Sequence, residues 1–433
     1  MPWTLRSARN PPHSYTSRSV RTDPLIFLSA GEASGDHYGA ELIAALKESL
    51  PQARFTGLGG TQMEAAGQHR VIRAEDVAVM GITEILRHIP RILGSYFQLV
   101  AAIKKQRPDV AVLIDFPDVN FRLAKHLKRL NIPVIWFVSP QLWAWKRKRL
   151  RWVQQRVSKM LTIFPFEQPF YANRGVQAEF VGHPLAEQPL PTISREEYAS
   201  KYDLDLSKPW IALLPGSRGG EIDANLPEML RAATLLGSGY EYLLPVAPTV
   251  SEVRRTAMRT AAAPIGIKLV NDARAALFHS RAAAVASGTA TVQTAVIGTP
   301  FVVVYRVSDT TFRMAKALVR YPDEIPAQAD ENGNLPIAMV NLIAGHRVVP
   351  ELLQKNFTGE TVTSALEPLL EDTPERAAQI ESLAEVRHKL QSPTHRTAIQ
   401  SLRDAVLEAL SVPPPLQRQG NDIIASAQSA SKE

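Results

Sequence analysis

The chain has no cysteine, which excludes disulfides and thiolate-held metals and leaves its redox compartment open. It has no apolar run approaching the roughly 20 residues that a membrane-spanning helix needs, so any contact with a bilayer is expected to be peripheral. It has no short tandem repeat, which removes solenoids and propellers. Acids are missing from the first 22 residues, "MPWTLRSARNPPHSYTSRSVRT", where arginine and serine recur. That composition matches an organellar transit peptide, but its prolines oppose an amphipathic helix, and residues 1–23 read as a disordered extension. Residues 412–433, which open on "VPPP", read as a disordered tail.

What is present is enough for two domains. The chain has 433 residues, of which 45% are hydrophobic, too many for one ordinary core. A net charge of +7 and a pI near 9.5 point to anionic partners: phosphates, nucleic acid or an acidic membrane surface.

Short, continuous apolar runs alternate with helix-like stretches. Strands are expected at "LIFLSA", "ARFTGLGG", "VAVLID", "PVIWFVS" and "MLTIFPF". After a proline-rich interval the pattern restarts with "WIALLPGS", "YEYLLPVAP", "IKLVND", "AAAVASGTAT" and "TPFVVVYRVS". Strands covered on both faces read this way, and βα alternation implies doubly wound parallel sheets. The fold class is therefore α/β, with two Rossmann-like domains over residues 24–185 and 186–395. A helix over 396–411 either closes the second half or braces the first. Ligands of such sheets bind at the carboxyl ends of the strands.

Four stretches carry chemistry. In "LLPGSRGGEI", Gly216, Ser217 and Arg218 turn a buried strand into a helix, and free N–H groups there with a guanidinium suit a pyrophosphate. In "ASGTAT", Ser287, Gly288 and Thr289 form a second anion-friendly helix start, and the next strand ends at Tyr305. In "LIDFPDVN", Asp115 ends a buried strand, where a carboxylate can take a proton from a hydroxyl; Asp118 and Asn120 follow, Asp118 also suiting a helix cap. After Met80, the residues Ile82, Ile85, Leu86 and Ile89 lie at helical spacing beside Arg87 and Arg91, which fits either core packing or a lipid-facing surface. A fifth stretch, "QLWAWKRKRLRW", interleaves tryptophans with cations. It fits a membrane interface or, less well, a base-stacking platform.

Together, "SAGEASGD", "AVMGI", "DFPDVN", "VSPQLWAWKRKR", "FPFE", "FVGHPL", "LLPGSRGGEI", "ASGTAT", "GTPFVVVYR" and "NLIAGHRVVPELLQ" resemble, in order, the lipid-A-disaccharide synthases, which are GT-B glycosyltransferases. The match runs from Leu25 to about residue 405. The resemblance implies two domains facing a cleft, acceptor on the first and UDP-sugar on the second. It implies an inverting transfer of 2,3-diacylglucosamine from UDP to the 6-hydroxyl of 2,3-diacylglucosamine 1-phosphate, giving a β-1,6-linked disaccharide 1-phosphate. No cofactor, metal or nucleic acid is implied. The expected place is the cytoplasmic face of the inner membrane, and a homodimer through the C-terminal helices is left open.

On that resemblance Asp115 is the expected base, with Asp36 the second choice. Glu32, Ser34, Asp118 and Asn120 are expected around the acceptor. Gly216, Ser217, Arg218, Ser287, Gly288, Thr289, Gln293, Tyr305 and Asn341 are expected around the donor. Two departures stand out: Gln293 replaces an acid that commonly grips the ribose, and "YPDEIPAQADENGN" reads as a polar insertion. The rival readings are a non-catalytic descendant that still binds UDP-sugar or lipid, and another GT-B UDP-sugar enzyme.

Overall fold

The computed structural model describes residues 23–78 and 82–411, with the side chains of residues 77–92 outside that description. The expected tail, and all of the expected extension before Asp23, therefore lie outside the described residues, as does Met80. Ile82, Ile85, Leu86, Arg87, Ile89 and Arg91 enter only as backbone of the Ile82–Gln106 helix.

Among the described residues, thirteen strands form two sheets. The first is ordered β3-β2-β1-β4-β5-β6-β7, from β1 (Leu25–Ala30), β2 (Arg54–Gly59), β3 (Gln68–Arg73), β4 (Val110–Ile114), β5 (Val134–Phe137), β6 (Lys159–Thr162) and β7 (Ala178–Phe180). The second is ordered β10-β9-β8-β11-β12-β13, from β8 (Trp210–Leu214), β9 (Glu241–Pro245), β10 (Lys268–Val270), β11 (Ala282–Ala286), β12 (Phe301–Tyr305) and β13 (Glu351–Leu353). The registers are parallel, as between Ile26 and Val110 or Ala283 and Phe301. By compactness the chain divides into residues 1–135 with 403–433, and residues 136–402.

The ten apolar runs are strands. The three strands that the sequence hid are all at sheet edges: β3, β7 and β13. An edge strand is covered on fewer sides, so "QHRVIR" carries polar residues, and β7 and β13 are only three residues long. Central strands show the opposite pattern. All five residues of β4 are fully buried, and each of its Val, Leu and Ile side chains contributes roughly 1.5–3 kcal/mol of apolar burial. The Ala33–Ser49 helix adds Leu42, Ile43 and Leu46 to the buried set. The second core gathers Ile211, Leu213, Met229, Leu244, Val302 and Leu366.

Candidate active site

Strand β4 ends at Ile114, and the chain turns sharply before the Pro117–Arg129 helix. Asp115 and Phe116 both adopt left-handed backbone, with φ of 44° and 48°. Two such residues in succession cost roughly 1–3 kcal/mol each and persist only where the surroundings impose them. Asn120 imposes them. Its fully buried amide donates to the carbonyl oxygens of Asp115 (2.7 Å), Ile114 (3.3 Å) and Ser29 (3.4 Å), and its Oδ1 accepts from Ser29 Oγ at 2.6 Å. The ring of Phe116 lies against Gly31, where a Cβ would stand 2.5 Å from the ring carbons. Asn120 thus ties the ends of β1 and β4 together and aims Asp115.

The Asp115 carboxyl is raised from 3.8 to about 6, first by burial and then by the charge of Glu32; the Phe116 N–H partly offsets this. A carboxylate so placed is a stronger base than an exposed one and is still ionised at neutral pH. Glu32, Ser34 and Asp118 are exposed at the starts of the two flanking helices.

Asp36 has a different environment. It is buried, and its two carboxylate oxygens accept from the N–H groups of Gly60 (2.8 Å), Gln62 (3.0 Å) and Met63 (3.0 Å). Three donors on one carboxylate fasten the Thr61–Ala66 helix to the Ala33–Ser49 helix.

In the second sheet, β8, β11 and β12 are neighbours, and the loops after them carry the expected donor residues. Gly216 turns with φ of 118°, and a Cβ there would collide with Glu221 at 2.6 Å. The Glu221 carboxylate accepts from the N–H groups of Ser217 (3.2 Å) and Arg218 (3.3 Å), with the Arg218 guanidinium 3.7 Å away. An anion therefore already sits on the donors at the start of the Gly219–Leu236 helix. Tyr305 joins this group: its phenol is pushed up by burial and by Glu221, and drawn down by Arg218. Ser287 hydrogen-bonds the neighbouring strand through its N–H to the Val304 carbonyl (3.0 Å), Thr289 is exposed, and Gln293 is half-buried on the Thr289–Ile297 helix. Gly288 accepts the Thr291 hydroxyl at 2.7 Å and has open space where a Cβ would stand.

Asn341 does not share that exposure. It is fully buried, its amide donates to Val349 O and Glu351 Oε1, and its Oδ1 accepts from Val348 and Val349 N–H. Its hydrogen-bonding capacity is spent on holding the loop before β13. Among the described residues, no group of three or more His, Asp or Glu side chains is placed to hold a metal ion.

Comparison with known proteins decides among the nucleotide-sugar enzymes. A family model for lipid-A-disaccharide synthetase matches residues 26–406. The chain belongs to the lipid-A-disaccharide synthetase family.

The lipid-A-disaccharide synthase of Acidobacterium capsulatum is 53% identical over 86% of this chain and 92% of its own. That of Koribacter versatilis is 48% identical over 88% and 97%. The chain is thus a glycosyltransferase enzyme of lipid A disaccharide synthesis. Solved structures give the GT-B fold and no more. A calicheamicin glycosyltransferase superposes with a TM-score of 0.56 at 13% identity, over 90% of this chain and 98% of its own. A UDP-GlcNAc 2-epimerase from Neisseria meningitidis does so equally well, with 0.56 at 10% identity over 89% and 99%. Fold alone does not separate transferase from epimerase; sequence kinship does.

Two residues of the family's motifs escaped the sequence reading. Glu221 was hidden because a capping acid three residues after a turn reads as ordinary helix chemistry. Glu167, the acid of "FPFE", is fully buried and raised to about 7, by burial above all. It accepts from Ser139 Oγ (2.6 Å), Trp143 Nε1 (3.1 Å) and Phe164 N–H (3.2 Å), so it folds the "SPQLWAW" loop inward. Only two tryptophans of that stretch retain exposure: Trp143 is core, Trp152 is half-buried and Trp145 is exposed.

Proposed function

We propose that this chain joins UDP-2,3-diacylglucosamine to 2,3-diacylglucosamine 1-phosphate, forming the β-1,6-linked disaccharide 1-phosphate and UDP. The observation that carries the mechanism is Asp115: a strained, partly buried carboxylate with a raised pKa at a strand end. Asp115 takes the proton from the acceptor 6-hydroxyl as that oxygen attacks the donor anomeric carbon. The bond to UDP breaks on the opposite face, so configuration inverts. Ser217, Arg218 and the helix start they precede receive the diphosphate's developing charge. Tyr305, Ser287, Gly288, Thr289 and Gln293 line the remainder of the donor, Gln293 toward the ribose.

In this reading Asn120 and Asn341 position loops without touching substrate, and Glu32 tunes Asp115. Ser34 and Asp118 offer hydrogen bonds to the acceptor, and Asp36 braces its loop. The acyl chains meet the apolar stripe from Ile82 to Ile89. Leu93 and Phe97, 41% and 62% exposed on the same helix, extend that stripe. The protein works on an anionic membrane surface, and among the described residues no helix is long and apolar enough to cross one.

The test is UDP release by the purified protein given both acylated sugars, with and without chelator. Release that needs both sugars and survives chelation is expected; release without acceptor contradicts the proposal.

A further inference from the structure

Two segments far apart in sequence meet on the surface of the second unit. The Arg147 guanidinium donates to the carbonyl oxygens of Trp143 (3.3 Å) and Arg320, and the Arg320 N–H donates to Ala144 O at 3.3 Å. The rings of Trp143 and Tyr321 lie 5.8 Å apart beneath them. These contacts fix the "WKRKRLR" stretch, Trp145 to Arg151, beside the end of the Asp309–Leu318 helix.

The resulting surface has an unusual composition. Trp145 is 45% exposed, and Met314 and Leu318, one turn apart on the helix, are 58% and 61% exposed. No residue of that ten-residue helix is buried, yet a helix so short is marginal in water without a partner face. Residues 145–151 and 313–320 hold eight cations and no acid; the acids next in sequence to the second stretch are Asp309 and Asp323. The bonds that Arg147 and Lys316 make go to neutral carbonyl and amide oxygens, which leave their charge intact. The Lys146 ammonium rests 4.0 Å over the Trp145 ring.

We propose that this surface docks on an anionic lipid bilayer, with Trp145, Met314 and Leu318 entering the head-group layer and the ring of lysines and arginines meeting lipid phosphates. Tryptophan favours that layer, and each basic residue near it adds attraction to anionic lipid. Nucleic acid suits the surface less well, because two aliphatic side chains offer bases no platform to stack on. The inference rests on the membrane reading above.

The experiment sediments the full chain with vesicles of phosphatidylethanolamine and phosphatidylglycerol, beside phosphatidylcholine vesicles. Parent protein is compared with a Lys148→Glu/Arg313→Glu double variant and a Met314→Asp/Leu318→Asp double variant, each verified as folded by circular dichroism. The expected result is that either pair of changes weakens partitioning onto the anionic vesicles at least about tenfold. Brominated lipid is expected to quench a fluorescence component present in the parent and absent from Trp145→Phe. Parent binding that both double variants retain in full, with Trp145 unquenched, would overturn this surface while leaving the membrane reading intact. Failure of the parent to bind anionic vesicles would overturn both. RNA binding lost in Lys148→Glu/Arg313→Glu, with vesicle binding unchanged, would reassign the surface to nucleic acid.

Discussion

Replacing Asp115 by asparagine should abolish transfer and at the same time stabilise the fold at neutral pH. In the unfolded chain this carboxyl titrates near its ordinary 3.8; in the folded protein it titrates near 6. Between those values the native state binds more protons than the unfolded state, so stability falls as pH rises through the window. At roughly 1.4 kcal/mol per pH unit, the gap corresponds to about 2–3 kcal/mol that ionised Asp115 costs the fold above pH 7 or so. The asparagine amide would keep the side chain's shape and its bond from the Phe116 N–H without carrying the charge. Urea unfolding of both proteins from pH 4 to pH 8 reads the difference directly. The Asp115→Asn variant should match the wild type near pH 4, pull ahead through pH 6 and level off above pH 7. The reasoning fails if the difference between the two proteins is flat across that range, or if the variant loses ground as pH rises. The same titration sets the rate: kcat/KM should fall about tenfold per pH unit below roughly pH 6. Glu32→Gln removes the second cause of the shift, so it should move that limb to lower pH.

Three further outcomes follow from single contacts. Glu221 occupies the N–H groups proposed above to receive the UDP diphosphate, so Glu221→Gln should tighten UDP binding severalfold by calorimetry and leave uridine binding unchanged; equal weakening of both would make it a structural cap alone. Asn120→Ala removes the amide that holds the Asp115 turn, and kcat should fall at least about 100-fold with little change in donor affinity. Glu167→Ala leaves three buried donors unpaired, which should cost about 3 kcal/mol or more in urea unfolding and shift Trp143 fluorescence.

Legibility in the sequence followed burial. Strands covered on both faces, such as "VAVLI" and "FVVVY", are continuous apolar runs and show at once. Edge strands such as β3 carry polar residues and pass for loop. The active-site candidates at strand ends were legible as types, because an acid or a glycine turn after an apolar run is conspicuous. Their partners were not. Asp36 and Asp115 look alike in sequence, yet one meets three N–H donors across 24 to 27 residues and the other meets burial and a neighbouring acid. Asn341 is expected near the donor on the family resemblance alone, and its contacts turn inward to Val348, Val349 and Glu351. Such pairings depend on which strands lie side by side, and only the folded chain determines that.

The most direct measurement isolates the product made from both acylated sugars and records its anomeric configuration by NMR, for the wild type, Asp115→Asn and Asp36→Asn. The account predicts a β-1,6-linked disaccharide from the wild type, none from Asp115→Asn at unchanged UDP affinity, and from Asp36→Asn reduced activity that tracks its lost stability. An α-linked product, or full transfer by Asp115→Asn, would contradict it.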